Sequence, residues 1–101
     1  MKSLELGQII GTEGITNLIE CGKLTRLDLQ VMLTRHISGD WGCCCEEDKA
    51  SNDAALIEGN RIISSYPIDP LKECAGWGDN TVWIITEYDR RVTTVLLPSE
   101  Y

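Results

Sequence analysis

Apolar positions along this chain recur first at helical spacing and then, past residue 60, in β-branched runs, so the sequence reads as helices followed by strands. Leu4, Leu6, Ile9 and Ile10 suit a short strand or extended lead-in ending at Gly11. Thr12 then takes the place of an N-cap, Glu13 falls in the first turn, and Ile15, Leu18 and Ile19 follow at helical spacing before Gly22. Thr25 is a second N-cap with Asp28 three residues on as a capping-box acid. Beyond it Leu29, Met32, Leu33 and His36 form the i, i+3, i+4, i+7 stripe of a core-facing helix that Ser38-Gly39 should end. A third helix is predicted over 46–58, opening on three acids, carrying Ala50, Ala54, Leu56 and Ile57, and stopping at Gly59.

The period then changes. Residues 61–66 make an Ile-rich strand ended by Pro67, and 69–80, with Pro70, Gly76 and Gly78, make a loop. Residues 81–86 and 92–97 are β-branched runs on either side of a turn at 87–91. The expected architecture is α+β: a short N-terminal strand and about three helices packed on a C-terminal three-stranded antiparallel meander, in a single domain over 1–101. A chain of 101 residues has room for one modest core and no second one.

Charge narrows the partners. Nine Lys and Arg against 16 Asp and Glu give a net charge of −7, which weighs against nucleic acid, whose affinity comes mainly from cations on phosphates, and against anionic membrane surfaces. The excess is local. Asp40, Glu46, Glu47, Asp48, Asp53 and Glu58 stand against Lys49 alone between residues 40 and 60, whereas Arg90-Arg91 forms a separate basic point. No apolar stretch approaches the roughly 18 residues of a membrane span. Glu5 and Gln8 interrupt the opening segment, so it lacks the apolar run of a secretory leader and a cytoplasmic location is expected. There the five cysteines, Cys21, Cys43, Cys44, Cys45 and Cys74, should be thiols. Cys43 and Cys45 with His36 are the one combination that could approach a zinc site. The simpler reading has Cys21 and one of the triplet as small buried apolar residues and the others as exposed thiols, and neither a metal nor a cofactor is expected.

Three segments could carry chemistry. Residues 36–42 combine the only histidine with Asp40, two glycines and Trp41. His36 could move a proton with Asp40 orienting its ring, or it could sit on the negative end of a helix capped by Gly39, with Trp41 folded onto the core. Arg90 and Arg91 at a hairpin tip could clamp a phosphate or a partner's carboxylates, or be a solvated turn. Ser64, Tyr66 and Thr86 are strand hydroxyls that could share one surface. The acid-rich helix could dock on a basic groove through Glu46, Glu47, Asp48, Asp53 and Glu58, or be an ordinary solvated face.

Residues 6–10 with 12–18, then 35–42, Glu47-Asp48-Lys49 with Asn52, 59–66, 82–87, and 89–98 with Tyr101 together resemble a family of small bacterial proteins carried on plasmids, phages and integrated elements. Its members are labelled "plasmid-related protein" or "type I restriction endonuclease subunit M". The resemblance spans essentially the whole chain and implies no transferable catalytic residue. About 100 residues are too few for a methyltransferase domain. The cysteine run and the length of the 69–80 loop depart from the family pattern. A helix ending in His before a small sheet is also similar in outline to metal-independent ribonuclease toxins of the barnase, EndoU, colicin and RelE type. That likeness implies His36 as general base or acid, assisted by Asp40, with Arg90 or Arg91 on the phosphate and Ser64, Thr86 or Thr93 near the scissile group.

The leading expectation is a small acidic cytoplasmic protein of a mobile element that binds a host or element-encoded protein with a basic surface. Such a protein would act in defence or counter-defence, as an anti-CRISPR or anti-restriction inhibitor does. The alternatives are a metal-independent ribonuclease and a structural accessory protein that forms a homodimer.

Overall fold

A computed structural model describes residues 4–101; residues 1–3, the start of the segment read for a leader, lie outside the described residues. The chain runs β1 (Gln8–Gly11), α1 (Glu13–Glu20), α2 (Arg26–Ile37), α3 (Glu46–Glu58), β2 (Ile62–Pro67), β3 (Thr81–Thr86), β4 (Val92–Leu96) and a final 3-10 turn, Pro98–Glu100. It is an α+β fold. Among the described residues no helix is long and apolar enough to cross a membrane.

The three-stranded meander needs correction. β2, β3 and β4 are antiparallel as expected, but the lead-in strand joins them: β1 pairs parallel with β4, giving a mixed four-stranded sheet in the order β1-β4-β3-β2. The apolar pattern of residues 4–10 predicts extended backbone and is silent on which distant strand accepts its hydrogen bonds.

The helices begin and end where local chemistry dictates. Thr25 accepts from the Asp28 N–H while the Asp28 carboxylate accepts from the Thr25 N–H, both at 3.0 Å, which satisfies two donors left over by the first turn of α2. α3 stops at Gly59, left-handed at φ 80°. Thr12 does not cap α1 with its own side chain; it donates to Glu100 at 2.6 Å, and Glu100 in turn accepts from the Gly14 N–H at 3.0 Å. The C-terminal turn therefore closes the first helix.

Ile15, Leu24, Met32, Tyr66, Val82, Ile84 and Val95 form the main core between the helices and one sheet face. A smaller cluster of Leu4, Trp41, Ala55 and Ile62 lies against α3. The outer edge of β2 is covered by side chain and backbone. Asn52 of α3 donates to the Ile63 carbonyl at 2.7 Å and accepts from its N–H at 3.3 Å. Ser65 accepts from Cys43 N–H at 2.7 Å and donates its own N–H to Trp41 at 3.3 Å. Gly42 makes that approach feasible: at φ +71° a Cβ there would stand 2.0 Å from the Ser65 carbonyl oxygen. The other edge, β1, is exposed along its length, with Ile9 and Ile10 open to solvent.

Candidate functional site

The last turn of α2 turns Arg35 outward and His36 inward. Arg35 forms a two-toothed ion pair with Asp40, Nε to Oδ2 at 2.7 Å and Nη2 to Oδ1 at 3.2 Å. Asp40 therefore belongs to Arg35 and does not orient His36. The pairing raises the Arg35 pKa and holds the Asp40 carboxyl below its ordinary range, in each case chiefly through that side-chain hydrogen bond.

His36 is completely buried, and Trp41 meets its ring edge-on at 5.8 Å between centroids. Its Nδ1 lies 2.5 Å from Ser64 Oγ on β2 and its Nε2 lies 2.9 Å from Thr86 Oγ1 on β3. Thr86 Oγ1 is 2.8 Å from Thr93 Oγ1 on β4, and Thr93 donates to the Leu6 carbonyl at 2.7 Å. Proton bookkeeping gives this chain one direction. A carbonyl has no proton, so Thr93 spends its own on Leu6 and accepts from Thr86. Thr86 then has nothing left to donate and accepts from His36 Nε2–H. Nδ1 is left as the bare nitrogen and accepts from Ser64. This is a neutral imidazole, and burial, followed by the nearby Arg90 cation, pushes its pKa down to about 4.

Sequence reasoning named His36, Ser64, Thr86 and Thr93, and the structure brings all four together. It places them in the interior. Ser64 against imidazole Nδ1 has the outline of a hydroxyl–base pair, yet all four residues are closed to solvent, so no reactant reaches them. Among the described residues no buried side-chain nitrogen or oxygen lacks a partner, which makes the network a satisfied polar core. The Leu6 carbonyl that ends the chain carried no sequence signal, because its role comes from its position beside β4 and not from its side chain.

Arg90 also differs from expectation. It occupies a positive φ of 60° in the β3–β4 turn, and its guanidinium donates to the carbonyls of Asn60 (2.7 Å), Ala55 (3.0 Å) and Glu87 (3.2 Å). It closes the C-terminal end of α3, so these guanidinium hydrogen bonds are made within the chain. Arg91, next to it, is exposed.

The acidic residues sit as the helix pattern places them. Glu46, Glu47 and Asp48 occupy the exposed first turn of α3, where carboxylates complement the positive end of the helix dipole. The one ion pair they make among the described residues is Lys49 to Glu46 at 3.7 Å. Asp53 accepts from Trp41 Nε1 at 2.9 Å and Glu58 from Asn60 at 3.2 Å, so both have intramolecular work while remaining exposed. Burial, then a hydrogen bond with Cys74, pushes the Cys43 thiol up to about 12, and burial raises Cys44. These are weakly nucleophilic thiols. No three His, Cys, Asp or Glu side chains among the described residues converge on one point.

Fold and site define an α+β protein with a sealed histidine–hydroxyl core and an acidic helix face. No family model, curated protein or solved structure matches the chain.

Proposed function

We propose that this chain is a protein-binding module of a mobile element that contacts a basic surface on a host or element-encoded protein through the start of α3, and so acts as a defence or counter-defence inhibitor. The observation that supports this most is the run of exposed carboxylates at Glu46, Glu47 and Asp48, with Lys49 as the one cation in ion-pair range among the described residues. A dense, one-signed patch of this kind steers an oppositely charged partner and sets its register. The interior position of His36 and the inward commitment of Arg90 leave the acidic face as the richest outward-facing chemistry. Reversal of Glu46, Glu47 and Asp48 to Lys tests it: capture of a basic partner should weaken with salt in the wild type and disappear in the triple variant. Capture that is unaffected by the reversal overturns the proposal.

The open β1 edge favours a second reading, self-association. Ile9 and Ile10 are 50% and 43% exposed on a strand whose outer hydrogen-bonding groups face no neighbour among the described residues. Sedimentation equilibrium of wild type and Ile9→Lys distinguishes a dimer through this edge from a monomer.

A further inference from the structure

Two sequence features that the fold leaves without a role meet at one place. The cysteine run and the 69–80 loop border a cleft of about 470 Å³ on the sheet face opposite α2. Ile63 and Trp83 reach it from the strands, Cys45 and Asp48 from the start of α3, Trp77 from the loop, and Arg61 from the approach to β2. The volume falls within the range of sites that enclose a side chain or small molecule.

The loop is held in place from within. Trp83 Nε1 donates to the Gly76 carbonyl at 2.7 Å, Thr81 Oγ1 donates to the Trp77 carbonyl at 2.9 Å, and Asn80 Nδ2 donates to Asp69, Lys72 and Glu73 carbonyls between 3.0 and 3.4 Å. Yet the indole this loop presents, Trp77, is 72% exposed. An ordered backbone that holds a bare indole beside a cleft is the arrangement of a recognition surface, in which aromatic residues supply contact area at low entropic cost.

The charges select the ligand. Asp48 has no ion-pair partner among the described residues, and Glu46 and Glu47 stand beside it in sequence. Arg61 is already engaged, with Nε 3.6 Å from Glu87 and its guanidinium over the Tyr101 ring at 5.2 Å. A planar anion would satisfy the indoles but meet Asp48, the one carboxylate in the cleft lining. A planar cation satisfies both. We infer that the cleft takes an arginine side chain of the basic partner, with its guanidinium stacked on Trp77 and hydrogen-bonded to Asp48. Guanidinium stacks on aromatic faces and pairs with carboxylates through two parallel bonds, whereas lysine offers a point charge. The inference rests on the protein-binding reading and names the residue that anchors it.

The test uses the full chain, followed by tryptophan emission and calorimetry. The probes are an end-blocked pentapeptide with one central arginine, the same peptide with citrulline, and adenosine monophosphate as a planar anion. The arginine peptide should bind saturably, and the citrulline peptide, equal in shape but uncharged, at least about tenfold more weakly. Trp77→Ala and Asp48→Asn should each weaken the arginine peptide about tenfold, with unchanged thermal unfolding. Equal affinity for arginine and citrulline, preference for the nucleotide, undiminished binding by either variant, or no saturable binding overturns the inference. The two proposals fail separately. Charge-sensitive partner capture with citrulline binding equal to arginine removes only the cleft assignment; arginine-specific peptide binding that is lost in Asp48→Asn, with capture indifferent to reversal of Glu46 and Glu47 alone, removes only the wider acidic-face reading.

Discussion

His36 Nε2 and Thr86 Oγ1 stand 2.9 Å apart in the interior, and the proton between them belongs to the imidazole. Because Thr86 and Thr93 pass their own protons toward the Leu6 carbonyl, the ring is fixed as the neutral Nε2–H tautomer. His36 is the only histidine, so its side-chain nitrogen spectrum contains one ring. Nitrogen-15 NMR of untagged protein should show a protonated Nε2, a bare Nδ1 and no titration between pH 5.5 and 8. A midpoint near the ordinary value of 6.5 would contradict the sealed network.

The same burial makes stability depend on pH. The folded-state pKa, about 4, lies below the 6.5 of the free side chain, so below pH 6.5 the unfolded chain binds a proton that the folded one refuses. The His36 contribution to the pH slope therefore fades over about one unit above 6.5, and stability falls as pH drops from there toward 4. The loss from this residue is on the order of 3 kcal/mol across that window. Urea unfolding at stepped pH should show it, and a flat profile from pH 6.5 to 4.5 would refute it.

Arg90 couples this core to α3. Substitution Arg90→Gln removes a buried-side cation and leaves the carbonyls of Ala55 and Asn60 without their guanidinium donor. Unfolding free energy should fall by about 1–3 kcal/mol. The His36 pKa should also rise, since the Arg90 charge is the second cause of its depression. A variant with wild-type stability and an unmoved imidazole would show that the guanidinium bonds are dispensable.

Asn52 guards the β2 edge by taking the place of a neighbouring strand at Ile63. Asn52→Ala should cost about 2 kcal/mol, because two backbone groups lose partners at once. Hydrogen exchange at the Ile63 amide should accelerate more than at Ile84 in the central strand. Equal acceleration at both would mean global rather than edge loosening.

Much of this was legible wherever the signal was local. The Thr25–Asp28 capping box, the stop at Gly59 and the strand Thr81–Thr86 follow from neighbours within a few residues. The stripe through Met32 and His36 correctly placed both toward the core. The partner of Asp40 was not legible. Successive helix residues are separated by about 100°, so Arg35 and His36 leave α2 in different directions, and the chain after Gly39 returns Asp40 to Arg35. Nor could sequence say that Ser64, Thr86 and Thr93 face inward: alternation gives them a common face, and only packing decides that α2 covers it. The parallel pairing of β1 with β4 joins opposite ends of the chain, which no local pattern encodes.

Hydrogen exchange of the complex with a captured basic partner speaks to the binding face itself. Protection is expected at the start of α3 and across the 74–83 segment, with exchange along β1 unchanged. Protection confined to β1, with the amides of 46–58 exchanging as in the free protein, would contradict binding through the acidic helix.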